Sequence, residues 1–284
     1  MVPLNHPGIG VTKLSALLPL VLVYAVFVIF NYDFIEPLLE NWWSSHESSQ
    51  GLVILPVSVW LVVQQLLARP TLTLQPAWVL VLLFVAVSSV IHVSSIMHIQ
   101  VVEFSALVVA FTVIPVALFG VRRPEVAADS ESYFPALYSL MALPLWDYLN
   151  PVFRLISLKA TEQFLRLSPI PSYVEGYRIE LASGVFVVDD GCSGLRFMVS
   201  ALAISLLYAY LYFRTKRARA LCVASLLALA LVGNWVRIIV IVIIGYITDM
   251  KSPLVNDHAT FGWVIFAVLL VVWMFWMNRL ERES

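Results

Sequence analysis

Residues 187–213 read VVDDGCSGLRFMVSALAISLLYAYLYF, and this stretch decides the class of fold. After two aspartates and a Gly-Cys-Ser-Gly turn, the remainder carries a single charge, that of Arg196. A helix needs about 20 mostly apolar residues to cross a membrane. The stretch therefore predicts a membrane-spanning helix over 193–213, with Cys192 beside its start at a water-facing boundary.

The composition of the whole chain supports the same class. Hydrophobic residues make up 61% of the sequence and charged residues 12%, and the mean hydropathy is +0.90. Soluble domains carry about 25% charged residues, so we predict an all-α integral membrane protein. The net charge of -1 leaves no strongly basic balance of the kind that nucleic-acid binding needs.

The length rule predicts about eight membrane spans. Pro135 and Pro144 interrupt the fifth span, which a membrane helix tolerates when neighbours satisfy the freed carbonyl groups. The first apolar run is longer than the core of a cleavable signal peptide, so we interpret it as a retained span. We expect one polytopic membrane domain over 1–284, with four spans in 1–132 and the half that carries the motifs in 133–277. The predicted spans are 14–34, 51–68, 77–96, 101–119, 133–150, 193–213, 219–247 and 259–277.

The distribution of Lys and Arg predicts the orientation, because cytoplasmic loops are enriched in both. With the N-terminus inside, ten basic residues lie on the cytoplasmic side and five outside, four of these in one long segment that the rule weights less. Both termini are therefore expected to be cytoplasmic. This topology brings the start of the sixth span, the end of the seventh and the start of the eighth to the outer side.

The long segment 151–191 also falls outside. Within 153–167, apolar residues recur at helical spacing opposite charged ones, which predicts a helix lying in the membrane interface. Residues 177–181 and 184–188 alternate or run apolar around a Ser-Gly turn, which predicts a short β-hairpin leading into Cys192.

Cys192 has the features of a reactive thiol. The pKa of a cysteine falls at helix N-termini and beside cations, and Arg196 lies one helical turn further on the same face. Asp190 is placed either to pair with Arg196 or to orient His258. The other cysteine, Cys222, lies near the opposite leaflet by this topology, and a disulfide needs Cα atoms within about 7 Å. We therefore expect Cys192 to be a free thiol.

Two further polar residues converge on the same leaflet. Arg237 lies inside an apolar helix, where a central arginine costs about 2.5–3.5 kcal/mol. It either donates to a developing oxyanion or thiolate, or it snorkels or pairs with Asp189 or Asp190. Asn234, one turn earlier, is placed to orient the guanidinium. His258 can accept and return a proton near neutral pH.

A metal centre is a weaker hypothesis. His92, His98 and Glu103 gather near the outer end of the third and fourth predicted spans. Their spacing matches no common ligand pattern. We therefore expect neither a metal nor an organic cofactor.

Three motifs together resemble the signatures of the exosortase/archaeosortase family. They are VDDGCSGLR over 188–196, NWVRI over 234–238 and HATFGW over 258–263. The resemblance extends over 133–277. This family often has Glu-Ala before its cysteine, where the present chain has Asp-Gly at 190–191.

The resemblance implies a multi-pass cysteine transpeptidase of the bacterial inner membrane, associated with exopolysaccharide production, with its active site facing the periplasm. It implies that Cys192 is the nucleophile, that Arg237 stabilises the charge on the substrate, and that His258 acts as acid and base. The implied partners are exported proteins that end in a PEP-type motif, a membrane span and a basic tail. The acyl group would pass through a thioester to a lipid, a glycan or water.

Two rival functions fit part of the pattern. Gly-Cys-Ser-Gly over 191–194 also matches the Gly-x-Ser-Gly of rhomboid intramembrane proteases, with Ser193 as nucleophile and His258 as base. Rhomboids hold their serine below the interface, whereas Ser193 lies at the helix start, so the position favours Cys192. A non-enzymatic transporter or polysaccharide-export subunit, with Arg237 binding an anion, needs a polar pathway across the membrane. Apart from Arg219 at the cytoplasmic end of the seventh span, the inner halves of the last three predicted spans carry no charge, which counts against transport.

Overall fold

The computed structural model describes residues 21–22, 24–44, 48–67, 77–120, 134–143, 145–256 and 258–283. The chain divides into two compact units, Met1–Leu145 and Trp146–Ser284. Within the described residues, three helices are long and apolar enough to cross a membrane, and all three belong to the second unit. The protein is thus a helical membrane protein, as predicted, and the count of eight spans with cytoplasmic termini stays a prediction.

The first unit is built from helices that follow the predicted spans. Residues 24–30 are helical and lie inside the predicted first span, of which 14–20 and 23 fall outside the described residues. The next helix begins within the predicted first span and continues to Ser44, beyond the predicted end of that span. The described helices are α1 (Tyr32–Ser44), α2 (Gly51–Leu67), α3 (Ala77–Ile96) and α4 (Gln100–Gly120).

The predicted fifth span is wrong as a single helix. The chain instead forms α5 (Phe134–Ser139) and two short 3-10 turns, Leu140–Ala142 and Trp146–Leu149. Leu143 between these turns has extended dihedral angles, φ -65° and ψ 137°. Since a residue before proline is disfavoured in the helical region, Pro144 explains the break. The boundary between the two units falls at this break.

Three long helices form the frame of the second unit. The segment contains α6 (Asn150–Leu167), α7 (Leu195–Tyr212), α8 (Lys216–Ile247), the short α9 (Pro253–Asn256) and α10 (His258–Glu283). Helix α8 packs against both α7 and α10. Only residues 213–215 join α7 to α8, so these helices are antiparallel. The start of α7, the end of α8 and the start of α10 therefore lie on one side of the unit.

The predicted hairpin exists and is part of a larger sheet. Strands β2 (Arg178–Leu181) and β3 (Gly184–Val187) pair antiparallel, and β1 (Ser172–Glu175) adds a third strand against β2. The inner face of the sheet presents Ile179 and Phe186 to a core shared with α6 and α8. We did not predict β1, because its four residues follow two prolines and have no alternation of buried and exposed positions.

The predicted amphipathic helix is also present, as α6, but its burial pattern is unexpected. Its buried residues are Ser157, Leu158, Thr161 and Leu165. The apolar Ile156, Phe164 and Leu167, which we expected on one apolar face, are exposed in the unit. The helix therefore turns a partly hydroxylated face inward and leaves apolar side chains facing outward, as a helix at a membrane interface would.

Candidate functional site

Cys192 lies in a tight turn before the helix and not, as predicted, at the helix start. Asp190–Cys192 forms one 3-10 turn, and α7 begins at Leu195. Asp189 caps this turn, because its Oδ1 accepts a hydrogen bond from the Cys192 N–H at 3.0 Å. Gly194 has φ +79°, a left-handed conformation that glycine adopts without a steric penalty. The chain therefore bends sharply at Gly194, and Cys192 belongs to the turn and not to α7.

Two side chains of α8 hold this turn through its backbone carbonyl groups. Asn234 Nδ2 donates to the Cys192 carbonyl oxygen at 3.1 Å, and Arg237 Nη1 donates to that of Gly191 at 3.2 Å. Arg237 also donates to Asn234 Oδ1 at 3.3 Å, which is the orienting contact that the spacing predicted. A Cβ on Gly194 would stand 2.4 Å from Asn234 Cγ, so the approach of Asn234 requires glycine there.

Helix α6 holds the same turn from another direction through Ser157. The Ser157 hydroxyl accepts from Asn234 Nδ2 at 3.0 Å and donates to the Ser193 carbonyl oxygen at 3.1 Å. Our sequence reasoning missed this residue. The available signal was a pair of hydroxyl residues, Ser157 and Thr161, spaced one helical turn apart, where they share a face.

Arg154 is the second contribution of α6 that sequence reasoning missed. Its Nε donates to the Val188 carbonyl oxygen at 2.6 Å, and its Nη1 pairs with Asp190 Oδ1 at 3.1 Å. Its guanidinium also stacks 3.8 Å from the centre of the Tyr177 ring. Asp190 therefore pairs with Arg154, and the predicted alternative of a pair with Arg196 is wrong. Residues before, within and after the turn at 190–192 are thus bound to α6.

The thiol of Cys192 is fully buried, with 0% of its surface exposed. Burial, with a smaller contribution from the charge of Asp189, raises its pKa to about 12, and the nearby charge of Arg237 acts in the opposite direction. We predicted that the helix N-terminus and Arg196 would lower this pKa, and that expectation is wrong. Desolvation of a thiolate outweighs the nearby cation. The cation that acts on the sulfur is Arg237, while the Arg196 guanidinium lies 5.7 Å from the Trp263 ring centre.

His258 is the first residue of α10, and its side chain lies outside what the structure describes. The next turn of the same helix packs directly on Arg237: a Cβ on Gly262 would stand 2.8 Å from Arg237 Nε. The start of α10 therefore lies against Arg237. The role of the His258 imidazole stays a prediction.

The rival hypotheses find little support in this geometry. The buried hydroxyl of Ser193 accepts from the Leu195 N–H at 3.2 Å, which is a capping contact at the start of α7. Among the described residues, no group of three His, Cys, Asp or Glu side chains is arranged to hold a metal ion. His92 instead contacts the Ser88 carbonyl oxygen through Nδ1 at 2.8 Å.

The sequence matches the model of a protein family described as transmembrane exosortase. The match extends over residues 42–275, which is most of the chain and includes the turn, α8 and the start of α10. No curated protein and no solved structure matches the chain.

Proposed function

Because the chain belongs to the transmembrane exosortase family, we propose that it is a cysteine transpeptidase that cleaves C-terminal sorting signals of exported proteins. The proposal rests on one observation: the Arg237 guanidinium donates a hydrogen bond to the carbonyl oxygen of Gly191, the residue directly before Cys192. A permanent cation is thereby fixed beside a thiol in a buried site. Such a pair suits nucleophilic attack on a carbonyl carbon, because the cation stabilises the oxyanion that forms.

The reaction proceeds in two steps. Cys192 loses its proton to His258, and the sulfur forms a bond to the scissile carbonyl carbon while Arg237 donates to the developing oxyanion. The C–N bond breaks as His258 returns the proton to the leaving amine, which leaves a thioester on Cys192. A lipid or glycan nucleophile, or water, then attacks the thioester with His258 as base, and the thiol is regenerated.

The substrate is an exported protein whose tail carries a PEP-type motif, one membrane span and basic residues. Its span packs beside α7, α8 and α10 within the inner membrane of a bacterium, and its motif reaches the turn from the periplasmic side. Helix α6 rests in the outer interface with Ile156, Phe164 and Leu167 toward lipid, and positions the turn through Arg154 and Ser157.

The test is processing of a reporter protein that ends in such a tail, co-expressed with the enzyme. Cys192→Ala is expected to lower processing by at least about a thousand-fold, as loss of a nucleophile does, while the variant still inserts in the membrane. Ser193→Ala is expected to retain most processing. The reverse ranking of these two variants would replace the proposal with a rhomboid-like serine mechanism.

A further inference from the structure

Asp189 is the one exposed carboxylate bound directly to the buried cysteine within the described part of the chain. Its Oδ1 accepts the Cys192 N–H at 3.0 Å, and its charge raises the pKa of the Cys192 thiol. The residue itself is exposed, whereas Cys192 is not. Asp189 thus contacts both the buried cysteine and the solvent.

The neighbouring glycine leaves room for this arrangement. A Cβ on Gly191 would stand 3.3 Å from Asp189 Oδ1, which is tighter than most real contacts. The carboxylate folds back over the turn because position 191 has no side chain. The arrangement is therefore specified by the Asp-Asp-Gly sequence before the cysteine.

The charges around the thiol come from every element packed on the turn. Arg237 of α8 attracts a thiolate, and Asp189 repels it. Arg154 of α6 is engaged with Asp190, and Arg196 of α7 lies over Trp263. The side chain of His258 on α10 lies outside the described residues. Asp189 is thus the nearest described negative charge that opposes formation of a thiolate.

We propose that Asp189 is a positioning residue that keeps the Cys192 sulfur protonated and unreactive until a bound substrate displaces its carboxylate. This inference rests on the proposed function and adds to it a step that activates the cysteine only when substrate is bound. In the free enzyme, the Asp189 carboxylate is bound to the Cys192 N–H, and the thiol is buried. When a substrate occupies the turn, the carboxylate swings to solvent, the sulfur loses its proton to the base, and Arg237 remains to attract the thiolate.

The experiment measures how fast iodoacetamide modifies Cys192 as a function of pH. The full-length protein in lipid nanodiscs carries Cys222→Ala, so that Cys192 is its only thiol. Asp189→Asn removes the charge and keeps an oxygen that can accept the Cys192 N–H. Asp189→Ser does the same with a shorter side chain and serves if the first variant does not fold. Glu180→Gln is the matched control, because it removes one exposed carboxylate from the same segment.

Removing the Asp189 charge is expected to lower the apparent pKa of Cys192 by at least one unit. Each unit by which the pKa falls raises the thiolate fraction at pH 8 about tenfold. A less basic thiolate is also a weaker nucleophile, which lowers the rate by about 0.4–0.5 log units for each unit of pKa. The modification rate at pH 8 should therefore rise at least about threefold. Glu180→Gln should stay within about twofold of the parent protein.

Two results would overturn the inference. An unchanged pKa in both Asp189 variants would show that the carboxylate only caps the turn. A slower modification rate would show that Asp189 assists removal of the proton. A looser fold would hydrate the thiol and also lower its pKa. It is recognised when Cys222 reacts faster as well, in the same variants without Cys222→Ala, and that result would also count against the proposal. The measurement needs no substrate, so its failure is separate from a failure of the reporter assay.

Discussion

Cys192 and Cys222 are both buried thiols of the same unit, and their surroundings differ completely. Cys222 lies within α8, its sulfur donates to the Ser205 carbonyl oxygen at 3.7 Å, and it packs among Leu226 and Phe213. Cys192 lies in a turn whose carbonyl groups are held by an amide, a guanidinium and a hydroxyl side chain. Burial alone therefore does not distinguish the proposed nucleophile from a cysteine that only packs. The distinction lies in the polar contacts around it.

Helix α8 connects the two environments. Cys222 and Arg237 are 15 residues apart on this helix, which corresponds to about 22 Å. Around Cys222 the helix contacts mainly apolar side chains. Around Asn234 and Arg237 it supplies a network of hydrogen bonds that extends to α6 through Ser157. Near Cys222 the helix thus packs through apolar side chains, whereas near Arg237 its polar side chains hold the turn that contains Cys192.

The largest expected effect comes from making the surroundings of Cys192 resemble those of Cys222. Arg237→Gln removes the cation and retains a side chain that can hydrogen-bond. Loss of one oxyanion donor costs about 100–1,000-fold in rate, so reporter processing should fall at least about 100-fold. Arg219→Gln is the control, since Arg219 donates to the Phe213 carbonyl oxygen near Cys222. Processing by Arg237→Gln at more than half the normal rate would contradict the role of the guanidinium.

Several of these residues were predictable because a polar residue in an apolar helix needs a partner. Asn234 and Arg237 are such residues, and the structure brings both to the turn that contains Cys192. The helix at 153–167 and the hairpin followed from periodicity alone. The pKa of Cys192 was predicted in the wrong direction, because sequence does not report how deeply a turn is buried.

Other features depended on contacts that sequence does not encode locally. Ser157 and Arg154 reach across from another helix, and a serine on a short amphipathic helix gives no local indication of its partner. Strand β1 forms only because β2 offers it an edge. The predicted fifth span broke at Pro144, where sequence shows a proline but not whether neighbours compensate for it.

An intermediate effect, on the free energy of unfolding, is expected from a substitution that displaces Asn234 from the Cys192 carbonyl oxygen. Gly194→Ala introduces a Cβ 2.4 Å from Asn234 Cγ at a position with φ +79°. Strain in the left-handed region and overpacking add, so unfolding in mixed micelles should become easier by about 3 kcal/mol. Gly176→Ala is the matched control, because Gly176 has φ +57° and open space around its Cα. Its cost should be the strain alone, about 1 kcal/mol.

Equal costs for these two variants would mean that Asn234 accommodates the added methyl group. The close approach between α8 and the turn would then not be needed. The distinction between the surroundings of Cys192 and those of Cys222 would be correspondingly weaker.

The smallest effect is expected from the ion pair at the edge of the site. A double-mutant cycle with Arg154→Met and Asp190→Asn should give a coupling free energy below about 1 kcal/mol. The Asp190 side chain is 70% exposed, so solvent screens the pair. Arg154→Met alone should cost more than this coupling, because it also loses the bond to the Val188 carbonyl oxygen. A coupling above 2 kcal/mol would show that the ion pair, and not the buried carbonyl contacts, holds the turn.

The most direct measurement is the identity of the residue that carries the acyl group during turnover. The enzyme is mixed with a peptide ending in a PEP-type sorting signal, quenched in acid, digested and mapped by mass spectrometry before and after hydroxylamine. The account predicts a hydroxylamine-labile thioester on the peptide that contains Cys192, and none on the peptide that contains Cys222. A stable ester on Ser193, or continued cleavage with no acylated cysteine, would contradict it.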